Sequence, residues 1–313
     1  MNNKKILIYA IKVTLTLLLI FFIARKINFS LMVSELKNIN YLDFILFLLL
    51  STSSNFLALI RWNFVLRSLG LVLPAKNLIK ISYIGFFLNQ TVPSSVFGDV
   101  SKGWLLIKSN YIKLNVIISI ILDRLIPLSI LILLVVFFDF DKIQIIFQHI
   151  KNSSVGFFPI FLLIALCFCY KKTRQFILSI NFIAIKNYFV QLFVSKIDII
   201  LSIILTIMQL LVMSFMVWFI ANSIQTDISF LLLFKALPLV FLINALPITI
   251  GGWGSREFAM IFTLSQFGVD STSAALISVI FGLSTLISSI PGVYPLKNIG
   301  KLIVNEKIIK KKN

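Results

Sequence analysis

The amino-acid sequence predicts an all-α fold, a polytopic transmembrane helix bundle of six to eight crossings with two broken or re-entrant segments. Three observations carry this expectation. Hydrophobic residues fill 59% of 313 positions and charged residues 13%, with a mean hydropathy of +1.03; soluble domains are nearer half apolar and a quarter charged. Apolar stretches of about 20 residues, enough to cross the hydrocarbon core as a helix, recur from Ile6 to Pro295. The formal charge of +18 lies mostly in short loops and at the two ends, as around membrane-spanning helices, and argues against a nucleic-acid surface.

In chain order, Lys4 and Lys5 precede the apolar run Ile6–Ala24. That run is too long for the core of a secretion signal and leads into Arg25-Lys26, so it reads as an uncleaved first crossing. Further spans are Tyr41–Ile60, Val116–Phe138, Val155–Tyr170, Asp198–Ile220 and Thr272–Tyr294. Two regions differ. Leu78–Gly98 breaks at Asn89, Gln90, Pro93, Ser94, Ser95 and Gly98, and Ile228–Phe267 is interrupted by Pro238, Asn244, Pro247, Gly251, Gly252 and Gly254. Proline removes a helix hydrogen bond and glycine weakens a helix. In lipid, the freed backbone groups persist only where protein or a wet cavity satisfies them. Segment Thr173–Lys196 mixes apolar with basic and amide residues, the pattern of an amphipathic helix lying on a leaflet. The chain reads as one membrane domain over 1–313, with an apolar core at 6–295 and a basic tail at 297–313.

Loop charges set the expected topology. Lys171, Lys172, Arg174, Lys186 and Lys196, like the tail, mark the cytoplasmic side of a cytoplasmic membrane, and Asn222–Asp227, without Lys or Arg, faces out. With both termini cytoplasmic, Leu78–Gly98 begins and ends inside and Ile228–Phe267 begins and ends outside, although Arg25, Lys26 and Lys37 then fall outside. The two regions look alike: Asn89-x3-Pro93 leads to Gly98-Asp99, and Asn244-x2-Pro247 leads to Gly251-Gly252 and Arg256-Glu257. Breaks at matching places in two halves are the sequence mark of a transporter's midplane site.

Charges inside apolar spans are costly and each invites a functional reading. Asp123 and Arg124, adjacent on one helix, do not face each other; they serve a site near Asp99 or Arg256, or form a structural ion pair, or Arg124 snorkels. Arg256 supplies a planar donor fork suited to phosphate, while Glu257 is either part of the site or a helix-start charge. Asp99, close to Lys102, pairs with Arg124 or Arg256, meets a cationic headgroup, or caps a helix. Arg61-Trp62 reads most economically as an interface anchor. Candidate substrate-binding residues are therefore Asn89, Pro93, Asp99, Asp123, Arg124, Asn244, Gly251, Gly252, Arg256 and Glu257. No nucleophile triad can form around the single His149, and Cys167 and Cys169 read as buried small residues rather than metal ligands. The glycine cluster lacks the spacing and the Lys-Ser/Thr of a nucleotide loop, so no cofactor is expected.

Arg61-Trp62, Gly85-Phe86-Phe87-Leu88-Asn89 with Pro93-Ser94 and Gly98-Asp99, Asp123-Arg124, and Leu246-Pro247 through Arg256-Glu257 together resemble the transmembrane region of the lysylphosphatidylglycerol synthase/flippase family. The likeness runs from about Ile6 to Tyr294. It implies a helical membrane domain that moves lipids between leaflets; bifunctional relatives append a soluble aminoacyl-transferase domain, which is not expected here. The implied partners are membrane lipids and a separate lipid-synthesis enzyme. Alternatives to a translocase are an accessory subunit of such an enzyme, or a membrane-embedded transferase in which Asp99, Asp123 and Glu257 converge.

Overall fold

The computed structural model describes residues 29–92, 96–152, 196–245 and 252–299, with Thr14 and Thr249 besides. Among them the fold is helical: α1 (Phe29–Asn38), α2 (Tyr41–Ser68), α3 (Ala75–Thr91), α4 (Phe97–Lys108), α5 (Lys113–Asn152), α6 (Lys196–Ser223), α7 (Phe230–Ala245), α8 (Ser255–Ser265), α9 (Ser271–Ser289), a 3-10 turn at Ile290–Gly292, and α10 (Val293–Lys297). Among the described residues, four stretches are long and apolar enough to cross a membrane: Tyr41–Ser68, Lys113–Phe138, Lys196–Ser223 and Ser271–Lys297. The expected spans Ile6–Ala24 and Val155–Tyr170, the amphipathic stretch 173–195, and the candidate residues Pro93 and Gly251 lie outside the described residues. One boundary differs from expectation. The segment from Asp139 continues the helix to Asn152 instead of forming a loop, because neither glycine nor proline occurs between Leu128 and Val155 to stop it.

Both broken regions fold as helical hairpins too short to cross. The arms of the first hold 17 and 12 residues and those of the second 16 and 11. At 1.5 Å per residue no arm exceeds about 26 Å, against about 30 Å of hydrocarbon. The α3–α4 hairpin closes tightly: a Cβ on Gly98 would overlap the Gly85 carbonyl oxygen, and the Asn89 side chain accepts the Gly98 backbone N–H at 2.8 Å. The amide side chain thus satisfies a donor that the helix break exposes.

The described residues form two inverted copies of one unit, a long helix, a short hairpin and a long helix. α2 and α6 each hold 28 residues. Tyr41 and Lys196, then Ala75 and Phe230, start matching helices 155 residues apart, the spacing of Ser54 and Gln209; after the breaks Phe97 and Ser255, then Lys113 and Ser271, match with three residues more. The helix ends match as well. Gly70 and Gln225 both take positive φ, of 71° and 56°, and so do Asn110 and Gly268, at 64° and 81°. At these four positions the same reverse bonds close the helix, Leu71 N–H to Leu66 O and Thr226 N–H to Ala221 O, Tyr111 N–H to Leu106 O and Val269 N–H to Leu264 O. The copies run antiparallel. Phe47, early in α2, packs with Ile220 near the end of α6, and Arg67, late in α2, lies 4.0 Å from Asp198 at the start of α6. Gln209 donates to Ser54, its own counterpart, at 3.3 Å, as happens where a two-fold axis passes through an interface.

Two apolar cores follow from this arrangement. Leu66, Leu78, Leu105 and Val116 cluster at one end, and Phe47, Ile220, Leu264 and Ala274 at the other. Each hairpin is rooted in the core at the end where it starts, through Leu78 and Ile81 in the first and Leu233 and Leu237 in the second.

Candidate functional site

Charged side chains buried in an apolar bundle persist only when paired, and here they form a chain of contacts. Arg124 on α5 donates through Nε to Asp99 Oδ2 at 2.6 Å. Asp99 Oδ1 lies 3.1 Å from Lys102 Nζ, and Lys102 Nζ lies 3.6 Å from Asp123 Oδ2. Asp123 accepts from Arg61 Nε at 3.0 Å, Arg61 Nη1 donates to Gln209 at 2.6 Å, and Gln209 reaches Ser54. Charges alternate in sign along this path, which crosses α5, α4, α2 and α6 and ends at the pseudo-two-fold axis. Lys102 is further held over the rings of Trp62 and Phe86, 5.0 and 5.3 Å from their centroids. Gly85 makes room for it: a Cβ there would lie 2.5 Å from Lys102 Cε.

Asp99 and Asp123 are buried, and so are Arg61 and Lys102. Arg124 keeps 31% of its side chain exposed. Three cations thus share two carboxylates, and the one open to the surroundings is a guanidinium. Asp99 Oδ2 takes its Nε and Nη2 and keeps it oriented, and a guanidinium is the cation best suited to phosphate.

A second cluster sits at the other hairpin. Glu257 Oε2 accepts the Gly254 N–H at 2.5 Å, while Oε1 accepts from Arg256 Nη2 at 2.8 Å and from the Ser278 hydroxyl at 3.2 Å. Gly254, at φ 87°, turns the chain into α8. Arg256 packs 4.8 Å from the Trp253 ring centroid and only 2% of its side chain is exposed. A Cβ on Gly282 would overlap the guanidinium, so that glycine is what lets Arg256 lie flat on α9. Asn244 faces Gly252, whose Cβ would lie 2.5 Å from Asn244 Oδ1, and that oxygen has no hydrogen-bond partner among the described residues.

The structure therefore brings Asn89, Asp99, Asp123 and Arg124 to one hairpin and Asn244, Gly252, Arg256 and Glu257 to the other. Asp99 meets Arg124 rather than Arg256, and Asp123 meets Arg61 and Lys102. Adjacent Arg256 and Glu257 do contact each other, because a first-turn Glu bends back to cap its helix and leaves one oxygen for its neighbour. Glu257 is thus both cap and ion-pair partner. Asp99 occupies the third helical position, the cap being Val96. Arg61 corrects its reading as an interface anchor: it is buried and bonded to Asp123 and Gln209.

Sequence reasoning also passed over Gln209, Ser278, Gly282 and the run Ser51-Thr52-Ser53-Ser54-Asn55. The run was visible as five successive polar residues at the middle of a 28-residue span. Ser51 Oγ lies 2.7 Å from Ser288 Oγ, and Asn55 Nδ2 donates to Ser288 at 3.0 Å. Beside them a groove of about 370 Å³ is lined by Thr52, Ser53, Phe56, Leu57 and Tyr83. Among the described residues no group of three His, Cys, Asp or Glu side chains could hold a metal ion.

No curated protein and no solved structure matches the chain. The family described as lysylphosphatidylglycerol synthase TM region matches residues 9–292, a stretch that includes both hairpins, both charge clusters and every helix named above except α10. This membrane-embedded, multi-pass chain belongs to the lysylphosphatidylglycerol synthase transmembrane-region family.

Proposed function

We propose that the chain is a lipid translocase that moves a phosphate-bearing or aminoacylated lipid between the leaflets of the cytoplasmic membrane, with both termini cytoplasmic. The observation that carries this reading is the buried charge network at the tip of a hairpin that stops short of crossing. Ionisable groups at that depth are costly and mark pathways for polar cargo, and interrupted helices with positive dipole ends toward the midplane suit anionic groups. Arg124 holds the headgroup phosphate, Asp99 orients Arg124 and reads an amine where the headgroup carries one, and the groove at Thr52 and Tyr83 takes the adjoining part of the lipid while acyl tails remain in the bilayer. Membership in a family tied to membrane lipids supports this assignment. So does charge: Arg67, Lys76, Lys108, Lys113 and Lys196 flank the end where the α3–α4 hairpin is rooted, which agrees with a cytoplasmic face there.

The test is leaflet exchange of labelled lipids in liposomes holding the purified chain. The panel contains anionic, aminoacylated and polyprenyl-phosphate lipids, and the control is the Asp99→Ala, Arg256→Ala double variant. Rapid exchange of one class, lost in the folded variant, is the expected result. Exchange no faster than in empty liposomes would refute the reading.

A further inference from the structure

Superimposing the two halves by their matching intervals pairs Asp99 with Glu257. Both sit at the third position of the short helix that follows a break, and Asn89 pairs with Asn244 at the same interval as Ser54 with Gln209. Around these residues the halves have diverged. The counterparts of Arg61, Lys102 and Asp123 are Met216, Met260 and Phe281, all buried and apolar. The carboxylate and its guanidinium remain in both halves, yet the guanidinium comes from different helices. In the first half it is Arg124 on α5, and the second position of α4 is Gly98. In the second half it is Arg256 at the second position of α8, and the residue matching Arg124 is Gly282. Arginine and glycine have exchanged places, and in each half the carboxylate at the third position of the short helix carries one guanidinium.

We infer that Asp99–Arg124 and Glu257–Arg256 are one anion station built twice, once per inverted half, and that a phosphate group passes from one to the other. A purely structural ion pair would have no need to survive the loss of its whole charged surroundings and a change of the helix that supplies its cation. The stations differ in access. Arg124 is 31% exposed and Arg256 2%, so this conformation opens the first and shuts the second. Inverted repeats reach their opposite conformation by exchanging the roles of the halves; there Arg256 becomes exposed and Arg124 covered. Both guanidinia lie near the start of a short helix that points its positive end toward the middle of the membrane, where a phosphate monoester or diester is the fitting cargo. The identity of that cargo rests on the translocase reading, whereas the equivalence of the two stations does not.

The test relocates the arginine. Three variants of the full chain are made, Arg256→Gly, Gly282→Arg, and the two together, so that the second half acquires the arrangement of the first. Thermal unfolding is followed in detergent and lipid exchange in liposomes. Each single variant is expected to melt well below the parent, because one leaves Glu257 buried without its cation and the other crowds two guanidinia. The double variant is expected to regain most of that loss and to restore exchange. If neither single variant folds, folding of the double variant is the supporting result and its failure overturns the equivalence. A double variant that melts as low as the combined single losses, or single variants that melt like the parent, overturns it too. A double variant that is stable but idle, where the parent exchanges lipid, overturns the role of the pair as a station. A parent chain that exchanges no lipid counts against the translocase reading alone, since the melting data still score the equivalence.

Discussion

The buried charges make unequal demands on stability. Asp123 neutralises Arg61 and shares Lys102, so Asp123→Asn strands a buried guanidinium; such losses cost about 3–5 kcal/mol, and the variant should melt far below the parent. Lys102→Met instead leaves two balanced pairs, Arg124 with Asp99 and Arg61 with Asp123, and a long apolar side chain over Trp62. Its cost should stay under about 1.5 kcal/mol, and parallel melts of the two variants would show the gap. At the opposite end Glu35 on α1 has an Oε2 without a hydrogen-bond partner among the described residues. Burial, and then the charge of Asp270, raise its pKa above the ordinary carboxylate range, so the folded chain binds a proton there more readily than the unfolded one. Stability from this group is complete below the unfolded pKa and is lost as pH rises through the folded one. Glu35→Gln should therefore raise the melting temperature at neutral pH, with the gain shrinking as pH falls; a gain that grows at low pH would contradict the assignment. Asp99, Arg124, Arg256 and Glu257 were legible as charges inside apolar runs. Arg61 was misread because it sits beside Trp62 near the end of an apolar stretch, where anchors are common, and only the third dimension reveals Asp123 and Gln209 beside it. Ser278 and Gly282 carry no charge, and nothing local marks them.

At the scale of elements, glycines decide how closely the helices approach. A Cβ on Gly98 would meet backbone, the Gly85 carbonyl, which cannot yield without parting the hairpin; a Cβ on Gly85 would meet mainly the flexible Lys102 side chain. Gly98→Ala should thus destabilise by about 1–3 kcal/mol and by more than Gly85→Ala, although alanine is the better helix former at both positions. A melting order with Gly85→Ala the lower would contradict this packing. Asn89→Leu removes the side-chain acceptor of the Gly98 N–H, a loss of about 1–2 kcal/mol. It should raise hydrogen exchange at the start of α4 more than elsewhere. The breaks themselves could be read from Asn, Pro and Gly spacing, because those residues act on their own backbone. The helical continuation past Asp139 could not, since polar residues there change the solvent preference of a helix without ending it.

At the scale of the molecule, antiparallel duplication organises both the fold and the charge clusters. The sequence hinted at it through two similar breaks, but divergence to Met216, Met260 and Phe281 hides the register, which emerges only from matching helix lengths, positive-φ caps and the self-contact of Ser54 with Gln209. Duplication gives a physical reason for two hairpins rooted at opposite ends: each delivers one carboxylate to the interior from its own side, Asp99 to Arg124 on α5 and Glu257 to the neighbouring Arg256. A site that works by passing cargo between them needs both. The most direct measurement is the rate of leaflet exchange in liposomes for Arg124→Ala and Arg256→Ala, made separately and compared with the parent at equal amounts of folded protein. Each variant alone should lower the rate by about tenfold or more, equivalent to about 1.4 kcal/mol, although only Arg124 is open in this conformation. Full exchange by either variant would contradict this.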